Sequence, residues 1–360
     1  MADDTKGLRE ARPAFVVDGK EQGPLSAGLV QMTITENTAG LYRCEARFGN
    51  HGEVNNRIDF LYFDRKTLDF GKDFEVKLGT DSLFTGKIMG LEAAFPEGQP
   101  PEITVLAEDR FQDLRMTRRT RTFANSSDAD VFRQIANDHG LSPDITVNGP
   151  TYTVLAQVNQ SDLAFMRERA RSVDVELWMT MKTLYAKSRA DRNGQTVKMQ
   201  HGKELRSFTV LADMAMQRTS VAVNGWDVAG KSALKFQATD SAINSEVSRL
   251  NSNDTSGPQI LKNALGERKE SLAHTVPLNS SEAQAEAETF FKMTARRFLV
   301  GRGVAEATAK FRVGAYADMD GLGPLFSGKY YVSEICHVFD SVKGIRTEFC
   351  AERPGIGPAN

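Results

Sequence analysis

The feature that most constrains this fold is an internal repeat. Residues 83–87, Leu-Phe-Thr-Gly-Lys, are nearly repeated at residues 325–329, Leu-Phe-Ser-Gly-Lys, and 325 − 83 gives a spacing of 242 residues. A Phe-x-Val pattern precedes each copy, at Phe74 and at Phe311, and two further strand candidates separated by a loop follow each copy. Because the same order of strand candidates occurs twice, we predict a duplicated β domain.

Length, composition and charge exclude several classes of protein. A chain of 360 residues is too long for one ordinary core, and 40% hydrophobic with 26% charged residues is typical of globular proteins. The formal net charge of −2 argues against a protein held on nucleic acid by its own field. No apolar run is long enough to span a membrane, and residues 1–12 lack the apolar core of a secretory signal.

The cysteines and histidines predict neither a disulfide scaffold nor a metal site. The three cysteines, Cys44, Cys336 and Cys350, are odd in number and contain no CxxC pair, and the five histidines are scattered. This pattern fits a chain made in a reducing cytoplasm. We therefore expect no cofactor and no metal.

Periodicity divides the chain into strand-rich and helix-containing parts. Residues 74–78 alternate apolar and polar side chains, which is typical of a half-buried strand. A capping box at residues 127–130 predicts the start of a helix, a second helix is predicted near Ser161, and a third starts at the capping box of residues 281–284. Residues 241–274 are rich in Asn, Ser and Asp and are expected to form a loop or a weakly ordered segment.

These patterns give predicted boundaries for six parts of the chain. They are an N-terminal tail at 1–12, a first β domain at 13–107, an α+β domain at 108–195, a second β domain at 196–240 and 300–354, an insertion with loop and helix at 241–299, and a C-terminal tail at 355–360.

One segment matches the pattern of a phosphate-binding loop. Residues 225–232, Gly-Trp-Asp-Val-Ala-Gly-Lys-Ser, fit GxxxxGK[ST], in which Lys231 would contact phosphates and Ser232 would bind magnesium. That chemistry requires a helix directly after the loop. Residues 233–238 instead alternate like a strand, so a β-hairpin turn is the preferred interpretation and a nucleotide-binding protein is the alternative.

No local signature of a hydrolase is present. The sequence contains no Gly-x-Ser-x-Gly elbow, no HExxH and no Cys/His signature, so no catalytic residue is assigned and a non-enzyme is expected. A peptidoglycan-binding or peptidoglycan-hydrolysing module at residues 124–190 stays a further alternative, since carboxylate sites need no local motif.

Several ordered motifs resemble one family of tail proteins. They are Leu106 to Asp109, Leu114, Arg118-Arg119, Arg121 to Phe123, Ser126 to Gly140, Val158 to Met166, Val221 to Asp227, Gly321 to Val332, His337, and Thr347 with Phe349. In order and spacing this set resembles the phage late-control D proteins, which are related to the N-terminal part of VgrG spikes. The resemblance covers about Leu25 to Arg353.

The resemblance implies a fold and a role. It implies a mainly β chain with α+β insertions, in which two tandem β-barrel domains form a pseudo-sixfold ring in a homotrimer. The implied role is that of a baseplate hub in a phage tail or contractile injection system. Such a hub joins a sixfold inner tube to a threefold spike, and the protein would be made in the bacterial cytoplasm. Implied partners are the inner tube protein, the spike protein and baseplate wedge or LysM-type proteins. The sequence stops at residues 353–360 without the OB-fold and needle of VgrG proteins, so either the spike is a separate polypeptide or the sequence is a fragment. Only the adaptor role is therefore expected of this chain.

Interface residues are predicted at two places. Arg115, Arg118, Arg119 and Arg121 form the one basic cluster, which would contact acidic partners or remain a solvated face. Arg353 and Pro354 are expected where the chain leaves toward the spike. The sequence leaves open whether the machine is a phage, a bacteriocin, a secretion system or an extracellular injector.

Overall fold

The fold is mainly β, as predicted. The computed structural model describes residues 12–227, 230–273 and 277–358. Strands make up 48% of the chain and helices 21%.

The first β-rich part contains a long meander. Its elements are β1 (Ala14–Val17), β2 (Lys20–Glu21), α1 (Gly23–Gly28), β3 (Leu29–Asn37), β4 (Arg43–Gly49), β5 (Gly52–Val54), β6 (Arg57–Asp59), β7 (Asp73–Leu78), β8 (Asp81–Ala94) and β9 (Glu102–Glu108). The alternation at residues 74–78 correctly predicted β7, in which Phe74 and Val76 are buried.

The next part is a small α+β unit. Its elements are α2 (Phe111–Arg115), β10 (Arg118–Ser127), α3 (Asp128–Asp138), β11 (Ser142–Thr146), β12 (Thr151–Ser161), α4 (Asp162–Ser172), β13 (Glu176–Thr180) and β14 (Thr183–Lys187). Both predicted helix starts are confirmed, since Ser127 and Asp130 form a reciprocal capping box and the Ser161 hydroxyl accepts a hydrogen bond from the Ala164 N–H.

The third part contains helices where a loop was expected. Its elements are β15 (Thr196–Gln200), β16 (Leu205–Ala212), β17 (Ser220–Asp227), β18 (Ser232–Thr239), a 3-10 turn at Asp240–Ala242, α5 (Asn244–Leu250), β19 (Thr255–Ser256), α6 (Gly257–Leu265) and β20 (Lys269–Leu272). The loop prediction for residues 241–273 was therefore wrong, because buried Val247, Leu250 and Leu261 anchor these short helices to the rest of the chain. Residue 274 lies outside the described residues.

The last part completes the second β-rich region. Its elements are α7 (Ser280–Ala295), β21 (Leu299–Glu306), β22 (Tyr316–Asp320), α8 (Gly323–Phe326), β23 (Gly328–Asp340), β24 (Gly344–Arg353) and β25 (Gly355–Ile356). The cap of α7 is Asn279, two residues before the predicted Ser281, because the Asn279 side chain accepts the Glu282 N–H. The predicted C-terminal tail begins instead as β25, which pairs with β19.

One 13-stranded sheet joins both β-rich regions. The strand order is β16-β21-β24-β23-β3-β4-β9-β8-β7-β1-β2, with β22 pairing β23 and β15 pairing β22. The strands of each region that the structure describes thus lie in an open sheet shared by both, and not in two separately closed barrels. The hairpin of β17 and β18, predicted as part of the second β domain, forms a separate small sheet with β20.

The duplication is visible as two sets of six strands in the same spatial order. The first set is β1-β7-β8-β9-β4-β3 and the second is β15-β22-β23-β24-β21-β16. The outermost strands differ in direction, because β1 pairs antiparallel with β7 whereas β15 pairs parallel with β22. Both sets carry bulges at matching places, at Val30 and Arg206 in β3 and β16, and at Met89 and Ser333 in β8 and β23. Bulges re-aim a strand at one defined position, so their agreement is strong evidence of a repeated unit.

The structural repeat is shifted from the sequence repeat. The bulges at Met89 and Ser333 lie 333 − 89 = 244 residues apart, whereas the two pentapeptides lie 242 apart. The counterparts of Phe74 and Val76 are Ala317 and Met319 on β22. The match to Phe311 and Val313 was wrong, because those two residues lie in the turn before β22.

Candidate assembly surfaces

The predicted basic cluster is largely neutralised within the chain. The Arg121 guanidinium contacts Asp138 at 2.7 Å and Asp162 at 2.9 Å, and Arg119 lies 3.2 Å from Asp162. Arg115 pairs with Glu108 at 2.6 Å. These arginines lie together at the start of β10 and the end of α2, as the sequence indicates, but much of their charge is directed inward.

Asp162 is the centre of this network. Its carboxylate also contacts the His139 Nε2 at 2.8 Å and accepts the Gln157 amide at 2.8 Å. Burial raises the pKa of Asp162, but the bonds from His139 and Gln157 and the charge of Arg121 together bring it below its ordinary value. Arg118 is exposed and donates to the Asn159 carbonyl.

Arg353 and Pro354 are buried. The Arg353 guanidinium is 1% exposed and holds the Asp254 carboxylate, with its Nε 2.6 Å from the Asp254 Oδ2. It also donates to the Ser327 carbonyl at 2.9 Å, and the Pro354 carbonyl accepts the Gly257 N–H at 2.9 Å. The chain therefore leaves β24 locked to the insertion, and neither side chain presents an open surface.

A buried ion cluster, which the sequence did not predict, joins the insertion to the α+β unit. Arg296, just after α7, contacts Asp174 at 2.7 Å and Glu246 at 2.8 Å. Burial lowers the pKa of Arg296, but the charges of Asp174 and Glu246 outweigh this effect and raise it well above its ordinary value. The three residues come from distant parts of the sequence, so no local motif could have marked them.

Within the described residues, the edges of β16 and of the end of β8 are unpaired, as are the outer edges of the terminal strands β2 and β15. β16 is the end of the sheet, and β21 is its one partner there. β8 pairs with β7 up to Lys87, but on that side no described strand covers residues 90–94. Open edges with unpaired N–H and C=O groups are sites where another strand can add.

An exposed aromatic patch directly follows the open edge of β8. Phe95 is 65% exposed, Phe60 is 43% exposed and Phe63 is 37% exposed. The Phe95 ring centroid lies 6.2 Å from that of Phe60 and 5.9 Å from that of Phe63. Three contiguous exposed aromatic rings make this patch a candidate interaction surface, whereas single exposed apolar residues need no such explanation.

The outward face of the sheet is polar and concave. A groove of about 670 Å³ crosses it where β3, β21, β23 and β24 lie side by side. Its lining includes Glu334, Glu348, Arg302, Thr35 and Cys336. This face presents polar and charged side chains to solvent, whereas the opposite face covers the apolar cores.

His337 is a buried titratable group on the inward face of β23. It is 0% exposed, and its Nδ1 lies 2.9 Å from the Thr347 hydroxyl. Burial lowers the pKa of His337 to about 3. The imidazole is therefore neutral at pH 7 in the folded chain.

This burial predicts a loss of stability in acid. Between pH 6.5 and about 3 the unfolded chain binds a proton at His337 that the folded chain does not, so stability falls as the pH falls through this window. Asp109 acts in the opposite direction, because burial raises the pKa of Asp109 to about 7. The measurement is therefore the difference in unfolding free energy between wild type and His337→Leu from pH 7 to pH 4. We expect the wild type to lose more, by up to about 1.4 kcal/mol per pH unit, and parallel curves would contradict this assignment.

The segment that matches a phosphate-binding loop is a hairpin. Asp227 at the end of β17 pairs directly with Ser232 at the start of β18, and Gly230 donates to the Asp227 carboxylate at 2.9 Å. A strand, not a helix, follows Lys231, so the helix N-terminus that would hold phosphate is missing from this place. Residues 228 and 229 lie outside the described residues. The predicted hairpin is confirmed, and this geometry argues against the nucleotide-binding alternative.

Other site types are equally unsupported in the part of the chain that the structure describes. Among those residues, no group of three or more His, Cys, Asp or Glu side chains could hold a metal ion. None of the described helices is long and apolar enough to cross a membrane.

The fold is that of phage-tail proteins. The prophage MuSo2 43 kDa tail protein from Shewanella oneidensis superposes with a TM-score of 0.69 at 12% identity, covering 95% of this chain and 98% of that one. The tail protein from Neisseria meningitidis MC58 gives 0.67 at 13% identity, with 96% and 97% covered. The E. coli c3393 protein, a component of the type VI secretion system, gives 0.55 at 12% identity, with 98% and 78% covered. No curated protein sequence is significantly similar.

A sequence comparison with family models identifies the family of this chain. The model of the Alg8 N-terminal domain matches residues 29–340, and the chain belongs to this family. The matching model differs in name from the late-control D family, so that finer assignment stays a prediction.

Proposed function

We propose that this chain is a structural hub of a phage tail or contractile injection particle. Three copies would form a ring that joins a sixfold inner tube to a threefold spike, and each copy would act through its interfaces and not through catalysis. This proposed role is the one that the resemblance to late-control D proteins and to the N-terminal part of VgrG implies.

The observation that carries this proposal is the structural duplication. Each chain holds two sets of six strands with the same spatial order and with two matching bulge positions. Three chains arranged around one axis would therefore present six similar β units. A threefold partner on one side and a sixfold partner on the other could both dock, because closed symmetry determines which surfaces repeat.

The polar face of the sheet supports the same role. If the sheets of three copies curve around the axis, the face that carries Arg302, Glu334 and Glu348 would line a wet channel, while the apolar cores stay inside each unit. In place of the two barrels per chain that the resemblance implied, one closed sheet would then form between copies. Inner tube, spike and baseplate wedge or LysM-type proteins are the proposed partners.

The proposal is tested by reconstitution with neighbouring components. We expect the purified chain, mixed with the inner tube and spike proteins of the same gene cluster, to give one complex that contains all three. Native mass spectrometry should find three chains of 39.7 kDa in it, about 119 kDa. Tube and spike proteins from an unrelated tail are the control and should not bind. A chain that binds neither of its own partners would contradict the proposed function.

A further inference from the structure

The two β units of one chain meet at a junction of two paired strands. There β23 of the second unit pairs with β3 of the first, antiparallel, from Glu334 opposite Asn37 to Asp340 opposite Gln31. The inward side chains of both strands are sealed by this pairing. Ile335 and Phe339 are each 2% exposed, and Met32 is 0% exposed.

Each strand of this junction has a counterpart at an open edge. The matching bulges make β16 the counterpart of β3 with an offset of 206 − 30 = 176 residues, and make β8 the counterpart of β23 with an offset of 244. Two equivalent backbone hydrogen bonds support the match of β8 with β23. Gly71 donates to the Ile88 carbonyl at 2.8 Å, as Gly314 donates to the Val332 carbonyl at 2.9 Å. The two open edges thus correspond to the two halves of the closed junction.

Side chains at the open edges are exposed where their counterparts are buried. Phe95 is 65% exposed, whereas its counterpart Phe339 is 2% exposed. Phe208 on β16 is half-buried, whereas its counterpart Met32 is fully buried. Both open edges therefore carry apolar side chains at positions whose counterparts are buried in the internal junction.

We propose that β8 of one copy pairs, antiparallel, with β16 of a second copy of this chain, in the register of the internal junction. Transferring that register by the two offsets defines five opposed pairs. They are Gly90 with Asp213, Leu91 with Ala212, Glu92 with Leu211, Ala93 with Val210, and Ala94 with Thr209. The assignment deepens the proposed hub, because it names the contact that closes the ring.

The aromatic patch gives this junction its apolar centre. Continuing the register by one residue places Phe95 opposite Phe208 of the second copy, as Phe339 lies opposite Met32. Phe208 already packs on Phe349 and Tyr330, with ring centroids 5.9 and 5.5 Å away. Phe95 would extend that aromatic cluster across the junction, and aromatic residues are the usual anchors of such contacts.

The proposed contact is head to tail, so repeating it can close a ring of copies. Each copy offers one β8 edge and one β16 edge, so the contact is heterologous and produces a ring when the rotation between copies closes. In a trimer, three junctions between copies would alternate with three internal junctions of the same kind. Both edges of the large sheet near the axis would then be paired.

A cysteine pair tests the register. In a Cys336→Ser, Cys350→Ser background, Glu92→Cys and Leu211→Cys replace two solvent-facing side chains that the register places directly opposite each other. Mild oxidation should link chains into dimers and trimers on a non-reducing gel, and each single variant should stay unlinked. The control is Glu92→Cys with Val210→Cys, whose side chains lie on opposite faces and should not link. An oligomer in which the first pair stays unlinked, or in which both pairs link equally, would overturn the register.

A second variant probes the apolar centre without oxidation. Phe95→Asp should shift the trimer to monomer in native mass spectra while the circular dichroism spectrum stays that of wild type, because Phe95 is exposed in the single chain. Met181→Asp is the matched control, since Met181 is 75% exposed on the α+β unit, and it should leave the trimer intact. A trimer that survives Phe95→Asp contradicts this junction but leaves the hub role standing. A linked ring that binds neither tube nor spike contradicts the hub role but leaves the junction standing.

Discussion

Replacing Arg296 with methionine is expected to lower the free energy of unfolding by about 3–5 kcal/mol. The guanidinium is 5% exposed and is the shared partner of Asp174 and Glu246, from the α+β unit and the insertion. Without it, two largely buried carboxylates lose their counterion, and this desolvation cost is not recovered in the folded chain. Urea unfolding followed by circular dichroism measures the change.

The control for this prediction is an exposed ion pair of the same type. Arg206 and Glu306 are 40% and 47% exposed, so Arg206→Met should cost no more than about 1 kcal/mol. Adding Asp174→Asn and Glu246→Gln to Arg296→Met should recover part of the loss, because the unpaired charges are then gone. Equal costs for Arg296→Met and Arg206→Met would show that the buried cluster does not stabilise the fold.

Truncating Phe339 to alanine is expected to cost about 3–5 kcal/mol. The ring lies on β23 of the second β unit, but it packs into the core of the first unit, where it is 2% exposed. Its loss would leave a cavity at the place where the two halves of the sheet meet. Chemical unfolding measures the cost, and the two halves should become less cooperative as the junction weakens.

A nearby exposed residue gives the control for the Phe339 prediction. Val342 is 84% exposed in the turn after β23, so Val342→Ala should change stability by less than about 0.5 kcal/mol. If Phe339→Ala were as mild as Val342→Ala, the internal junction would be loosely packed. It would then be a poor template for contacts between copies.

The duplication was predictable from the sequence, but its register was not. The repeated Leu-Phe-[Thr/Ser]-Gly-Lys segment lies inside β8 at residues 83–87, and at residues 325–329 it runs from the end of α8 into β23. Two additional residues before the bulge at Ser333 shift the alignment, and Ala317 takes the place that Phe311 was expected to hold. Apolar alternation identifies a strand and its inward face, but it does not identify the partner strand.

Two helix starts with a local capping signal were predicted, and two helices between residues 241 and 273 were missed. The capping residues Ser127 and Ser161 fixed the starts of α3 and α4, because a cap acts within one turn of its helix. The helix α6 carries comparable signals that were missed, because Ser256 accepts a hydrogen bond from the Gln259 N–H and Gly266 follows its last residue. The helix α5 has no side-chain cap and depends on distant contacts, such as the Glu246–Arg296 pair. Tertiary packing can override a weak local preference, and no single segment carries that information.

The assembly surfaces were partly predictable. The basic residues at 115–121 were correctly located as a group, but their partners Asp138 and Asp162 were not predictable, because they come from other elements. Arg353 is similarly bound to Asp254, 99 residues away along the chain. The open edges of β8 and β16 could be recognised only after the strand order was known, since an edge is a property of the sheet and not of the strand.

The trimeric hub is tested most directly by electron microscopy of the purified chain, with class averages viewed down the particle axis. We expect a threefold ring with a central opening and six similar lobes, two for each chain. A ring whose lobes number only three, or particles that stay monomeric even when the tube and spike proteins are present, would contradict it.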